Sequence, residues 1–187
     1  MLYLLAIKID FEINVGDIMR IAVRSLFLLL IVIVLVNCSG KSAQQYYDSG
    51  MANIKDGKYN EALTDFRTLI KEYPDDNLVA NAYFETAKIY HGKLIKDLPL
   101  KESSDKAVRS YQIVANKYPD SPLAPNALFM VGFIEANELR QFGKAKETYS
   151  KFLQKYPDNE LAKSAQAELD NLGVSAEEIL KKNLKEE

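Results

Sequence analysis

The tripeptide Tyr-Pro-Asp stands three times in this chain, at residues 73–75, 118–120 and 156–158, spaced by 45 and 38 residues. The same pattern precedes each copy. Counting back from each proline, an alanine occupies position −12 (Ala62, Ala107, Ala145), an aromatic −8 (Phe66, Tyr111, Tyr149) and an apolar residue −5 (Leu69, Val114, Phe152). Offsets of four and three residues place these side chains on one face of a helix. The proline ends that helix, because the residue before it is pushed out of the α region.

A second helical stretch follows each of the first two prolines. Asn81-Ala82-Tyr83-Phe84 and Asn126-Ala127-Leu128-Phe129 both begin seven residues past their proline. Asn77 or Asp76, and Ser121, are suited to cap these helices at their N-termini. Ala87 and Gly132 fall at matching places, where a small side chain lets two helices approach closely. The unit is helix–turn–helix, repeated. One such pair cannot bury its apolar face alone, so the copies must stack into an all-α solenoid.

The pattern resembles the tetratricopeptide repeat (TPR). The first copy carries Gly50, Gly57, Tyr59, Ala62, Phe66, Leu69 and Pro74; the second Ala87, Ala107, Tyr111, Val114 and Pro119; the third Gly132, Phe142, Ala145, Tyr149, Phe152 and Pro157. The resemblance covers nearly all of Ala43 to Leu172. It implies a TPR-like solenoid over residues 43–173, of about three repeats plus a capping helix from ELAKSAQAELDNLG. The periods exceed the family's usual length of about 34 residues. Four extra residues after each Tyr-Pro are expected to lengthen the following helix, and the stretch from His91 to Ser104 is expected to protrude as a loop, marked by Pro99 and the paired serines. That loop is apolar at Leu94, Ile95, Leu98 and Leu100, so it either folds back over a helix end or contacts a partner. Residues 174–187 read as a short C-terminal helix, opened by a capping box from Ser175 to Glu178, and a charged tail.

The N-terminal part is of another kind. An uninterrupted apolar run, Leu26 to Val36, lies between Arg20 and Arg24 on one side and Cys38 on the other. It is short for a membrane span, which needs about 20 residues, and has the layout of an export signal. Cys38 is the single cysteine, so it closes no internal disulfide. The stretch is similar to a bacterial lipoprotein signal, with Leu35 and Val36 at acceptable positions and Asn37 in place of the usual small residue. The resemblance implies a signal peptide at 19–37, a lipid on Cys38, a linker at 38–42 and, from Ser39, an outer-membrane address facing the periplasm. The alternatives for Cys38 are a buried structural cysteine or an uncleaved anchor. Residues 1–18 carry Asp10, Glu12 and Asp17 where a signal should be basic, and read as a mis-assigned start ahead of Met19 or as a non-structural extension.

Chemistry is sparse. The 24 basic and 26 acidic residues balance to a net charge of −2, with no basic cluster for nucleic acid. The one histidine, His91, has no paired histidine or cysteine for a metal and no serine in a plausible triad. No phosphate-binding glycine loop is present. The expectation is a protein that is not an enzyme, with no cofactor beyond the lipid on Cys38 and no small-molecule substrate.

The TPR resemblance implies a concave surface lined by the first helix of each pair, where a protein or peptide segment binds. Its groove positions map onto Tyr47, Met51 and Ile54, then Asn81, Phe84, Lys88 and His91, then Asn126, Phe129 and Phe133. The repeated Asn-x-x-Phe suggests a repeated partner contact, or alternatively phenylalanines packed between neighbouring helices. A lipidated cysteine followed closely by Tyr-Pro-ending repeats resembles BamD, the outer-membrane lipoprotein of the β-barrel assembly machinery. The third repeat also resembles the C-terminal domain of the Tol-Pal coordinator (YbgF/CpoB).

Overall fold

The computed structural model of the protein describes residues 19–20, 22–26, 40–174 and 178. The chain divides into two units, Met1–Lys41 and Ser42–Glu187. In the first, residues 19–20 and 22–26 are helical, with Met19, Val23 and Leu26 exposed. Cys38, residues 1–18, most of the expected signal and all of the expected C-terminal helix except the helical Glu178 lie outside the described residues. Among the described residues no helix is long and apolar enough to cross a membrane.

The second unit is a ladder of helices: α1 (Ala43–Lys55), α2 (Tyr59–Glu72), α3 (Leu78–His91), α4 (Leu100–Lys117), α5 (Ala124–Phe133), α6 (Phe142–Lys155) and α7 (Ala162–Asp170). A π-helical segment, Ile134–Glu138, continues α5. No strand occurs among the described residues. Each helix packs against the next in sequence, giving three pairs, α1–α2, α3–α4 and α5–α6, closed by the single helix α7. This is the all-α solenoid with a capping helix that the repeats predict.

The repeated alanine, aromatic and apolar positions form its core. All nine side chains, from Ala62, Phe66 and Leu69 to Ala145, Tyr149 and Phe152, are buried. Burying one such aromatic is worth roughly 1.5–3 kcal/mol, so the three helical faces drive the pairing. Close approach of the partner helix depends on the small residues. A β-carbon on Gly50 would lie 2.5 Å from the Phe66 ring, and one on Gly132 would lie 2.8 Å from the Tyr149 ring. The buried residues form two clusters, one around Phe66, Leu69 and Val79, the other around Tyr111, Val131 and Tyr149, with Tyr83 and Tyr90 of α3 packed against both. The outward faces at the two ends are polar: Gln44, Gln45 and Asp48 on α1, and Lys163, Gln166 and Asp170 on α7. Polar ends stop a repeat array from adding further copies.

The three Tyr-Pro-Asp turns share one geometry. Tyr73, Tyr118 and Tyr156 end their helices at φ −132°, −124° and −132°. The polar residue three places on caps the next helix: Leu78 N donates to Asp76 Oδ1 at 2.8 Å, Leu123 N to Ser121 Oγ at 3.2 Å, and Leu161 N to Asn159 Oδ1 at 2.9 Å. Asn77 occupies the N-cap position but its side chain makes no capping bond; Asp76, one residue earlier, supplies it. The four residues after each Tyr-Pro build this turn; they do not lengthen the following helix, because the side-chain cap fixes where that helix starts.

The stretch from His91 to Ser104 also departs from expectation. Only Gly92–Pro99 is a connection, and α4 begins at Leu100, seven residues before Ala107, where α2 and α6 begin three before Ala62 and Ala145. The difference of four residues is one added helical turn. Ser103 is the last residue of that turn, Ser104 follows it, and both are buried. Ser103 Oγ donates to the Tyr90 carbonyl at 2.6 Å, closing the end of α3. Ile95 folds back on the N-terminal cluster, whereas Leu100 is 71% exposed.

Candidate face on the first helices of the pairs

The expected groove residues sit on α1, α3 and α5, and side-chain contacts bring those helices together. The Tyr47 hydroxyl on α1 is hydrogen-bonded to the Asn81 side chain on α3. The His91 ring on α3 meets the Phe133 ring on α5, centroids 6.2 Å apart. Burial, then the negative charges of Glu85 and Asp48, push the Tyr47 hydroxyl above its ordinary value, against the Asn81 bond that lowers it. The face is thus one continuous surface across two repeats and part of the third.

Its residues divide into packed and open ones. Phe84 stands edge-on to Tyr111 at 5.2 Å, and Phe129 edge-on to Tyr149 and Phe152 at 5.7 and 6.1 Å. Both phenylalanines of the Asn-x-x-Phe pattern therefore pack within their own helix pair, the second of the two readings. Tyr47 tilts against Phe66, His91 lies edge-on to both Tyr111 and Phe133, and Ile54 joins the N-terminal cluster. Asn81 is engaged by Tyr47, while Asn126 is exposed. Met51, at 36% exposure, and Lys88 complete the open set.

Two carboxylates on this side were not singled out from the sequence. Glu85 on α3 is 13% exposed at its side chain and is paired with Lys88 of its own helix, whose Nζ lies 3.0 and 2.9 Å from the two carboxylate oxygens. Glu138, at the end of the π segment, gathers two donors, Lys93 and Ser104, and the His91 ring. His91 Nε2 lies 3.1 Å from Oε1, while Lys93 Nζ and Ser104 Oγ both reach Oε2. Burial raises the Glu138 carboxyl, but the bonds from Lys93 and Ser104 and the charges of Lys93 and His91 outweigh it and hold the group below its ordinary value. Nothing local in the sequence marks this cluster, since Glu138 and Ser104 are 34 residues apart. Glu135, three residues earlier on the π segment, is 3% exposed and accepts a bond from Thr148 Oγ1 at 2.7 Å. Burial pushes its carboxyl up, against the Thr148 bond and the Lys144 charge, with Glu147 adding to the rise.

The Glu138 cluster contains a serine, a histidine and a carboxylate, but Ser104 donates to Glu138 and not to His91. A serine nucleophile needs the histidine as its base, so this arrangement does not activate the hydroxyl. Among the described residues no group of three His, Cys, Asp or Glu side chains is placed to hold a metal ion. What the face offers is Met51, Lys88 and Asn126, exposed on a helical support.

Comparison with protein families finds a match to the tetratricopeptide repeat over residues 46–76, 80–121 and 126–159, more than half of the chain. The matched segments cover the three helix pairs from within α1 onward and end before α7. A comparison with curated proteins finds no match.

Proposed function

The chain belongs to the tetratricopeptide-repeat family, and from that premise we propose that it is a non-enzymatic, periplasm-facing scaffold lipoprotein held on the outer membrane by acyl chains on Cys38. The repeat domain is a protein–protein interaction scaffold of a kind that binds protein partners. The finer reading rests on one observation, the juxtaposition of two sequence features: an apolar signal-like run ending in the single cysteine, and Tyr-Pro-ending repeats that begin within a few residues of it. Each buried CH₂ contributes about 0.8 kcal/mol to membrane attachment, so more than one acyl chain makes a stable anchor. The role this combination supports best is that of a component of outer-membrane β-barrel assembly, as in BamD, with the face on α1, α3 and α5 receiving a segment of another envelope protein. The repeat number, three where BamD has about five, favours a second reading as a Tol-Pal coordinator.

The test is crosslinking and pull-down from membranes, with the wild type beside Cys38→Ala and partners identified by mass spectrometry. The assembly reading expects a barrel-assembly subunit in the wild-type sample and a mutant that turns soluble. Recovery of Tol-Pal or peptidoglycan proteins selects the second reading. A Cys38→Ala protein that stays on the membrane removes the anchor assignment.

A further inference from the structure

A groove of about 570 Å³ lies between the first two Tyr-Pro-Asp turns, with Pro74 and Asp75 on one side and Tyr118, Pro119 and Asp120 on the other. Its volume falls within the roughly 300–1,000 Å³ that ligand sites occupy. The walls are poor in hydrogen-bond donors. Pro74, Pro119 and Pro122 carry no N–H. The Asp76 and Ser121 amides already donate to the Tyr73 and Tyr118 carbonyls at 3.1 and 3.0 Å. Asn81, at the α3 edge of the groove, is engaged by Tyr47. Acceptors, in contrast, remain free. Asp75 and Asp120 are exposed, and among the described residues neither carboxylate caps a helix or joins an ion pair. With Asp76, three carboxylates line the groove against one ammonium, that of Lys117. The next interval along the ladder is served differently. Lys155 stands two residues before its proline, as Lys117 does, and its Nζ lies 3.5 Å from the Ala115 carbonyl of α4, while Lys151 Nζ reaches the Asn116 side chain at 2.8 Å. No such bond carries Lys117 back to the first pair among the described residues.

We propose that this groove is a second contact surface, which takes an extended segment of a partner protein bearing an arginine or lysine. The charge of that side chain is drawn to Asp75 and Asp120, and its apolar stem lies along Tyr118 and the prolines. Arginine fits best, because its guanidinium brings five donors to walls that hold acceptors and stacks on a tyrosine ring. A length of chain suits the groove better than a small cation. Small ligands are commonly about 70–90% buried in their sites, whereas Pro74, Asp75, Pro119, Asp120 and Pro122 are all exposed. An occupant of so open a trough gathers its contacts along its length. The groove is distinct from the face on α1, α3 and α5, although Asn81 belongs to both, so either surface can fail alone.

The full chain in detergent is screened against a displayed library of short peptides randomised at every position. The recovered peptides are then measured by fluorescence anisotropy against the wild type, Asp75→Asn/Asp120→Asn, Asp158→Asn and Met51→Ala. The paired variant exchanges two exposed carboxylates that cap nothing, so the fold is kept, and helix content checks this. Asp158, exposed at the same place in the third turn, is the control. The expected result is a shared arginine or lysine in the peptides. Asp75→Asn/Asp120→Asn weakens them about fivefold, the scale of two exposed charge pairs, and Asp158→Asn leaves them unchanged. Glutamine in place of the peptide's cation costs the same factor against the wild type and little against the paired variant. Peptides without a shared cation, or equal weakening by Asp158→Asn, overturn the proposal. Displacement by spermine at the peptide's own concentration overturns it too, since the ligand is then a small polycation. Peptides that weaken with Met51→Ala and ignore the aspartate pair belong to the α1, α3 and α5 face and overturn the groove alone. A library from which nothing binds overturns the proposal.

Discussion

The first and second helix pairs have the same core but different connections, and the difference separates what holds a repeat together from what joins repeats. In the first pair the chain turns in three residues, Asp56 to Lys58. Gly57 takes φ +73°, and the Gly57 and Lys58 amides bond back to the Ile54 and Asn53 carbonyls at 3.0 and 2.8 Å. This is a Schellman ending, which requires a left-handed residue. In the second pair the same ending is made by Lys93 at φ +55°, with Lys93 and Leu94 bonded back to Tyr90 and Ile89, and the chain then runs on to Pro99 before α4 starts. The core positions Ala62 and Ala107, and Phe66 and Tyr111, stay equivalent across this insertion and are all buried. The helix pair is therefore set by its buried face. The connection is free to grow, and here the two residues that flank its growth, Lys93 and Ser104, reach Glu138 on the π segment of the third pair.

That distinction predicts a ranking of effects. Removing the buried aromatic of a pair is the largest: Phe66→Ala should cost about 3–5 kcal/mol in urea unfolding, since the cavity lies in a closed core. An unfolding midpoint near that of the wild type would mean that the pair is not held by this face. Next comes the joint. Glu138→Ala leaves Lys93 without its carboxylate, and Ser104 with the Leu100 carbonyl alone, at a partly buried site, and should cost about 1–2 kcal/mol. The counterpart in the short connection, Asp56→Ala, removes only an exposed 3.1 Å pair with Lys58 and should cost under about 0.5 kcal/mol. Equal losses at the two sites would erase the contrast.

The left-handed positions give smaller effects of opposite sign. Gly57→Ala should destabilise by about 1 kcal/mol, because a side chain is unfavourable at that φ. Arg140, which occupies the corresponding place in the third pair at φ +52°, should gain by replacement with glycine. The gain stays below about 1 kcal/mol, since the guanidinium, 5.4 Å from the Phe142 ring, is lost with it. Differential scanning calorimetry on the two variants reads both signs.

The smallest effects are in pH dependence, where two carboxyls of one π segment should behave oppositely. Glu138 lies below its ordinary value of 4.5 in the folded chain. It therefore adds stability above that value and loses it as pH falls through the lower folded one. Glu135 lies above 4.5 in the folded chain. Its contribution is fully present below that value and lost as pH rises through the higher folded one. Unfolding curves of Glu138→Gln and Glu135→Gln against the wild type across this range should therefore diverge. The deficit of the first shrinks on acidification, and the second becomes relatively more stable as pH rises. Parallel curves would mean that burial acts alike on both groups.

Much of this architecture was legible in the chain because the information is local and periodic. Three copies of one pattern state the helix faces, the prolines state the ends, and small residues at Gly50, Ala87 and Gly132 state where helices touch. A further local signal, Ser42 with Gln45, forms a reciprocal capping box at the start of α1 and could have been read as well. The paired serines after Pro99 were misleading for a physical reason. Serine favours turns when its hydroxyl has no better acceptor, whereas Ser103 and Ser104 find acceptors on α3 and on the π segment. The candidate face was legible as a set of positions but not as a set of roles. Which phenylalanines turn into their own pair, and which charges are buried, depends on the neighbouring helices.

The sequence by itself determined the repeat, its helix boundaries at each Tyr-Pro and the nine positions that fill the core, since period and turn chemistry act over a few residues. Only the tertiary structure decided that α4 gains a turn, that Glu138 joins the second pair to the third, and that Glu85 is largely shielded from solvent and paired with Lys88. Those outcomes depend on the burial and partnering of polar groups far apart in the chain, and the free energy of a charge is set by what surrounds it in space, not by its neighbours in sequence.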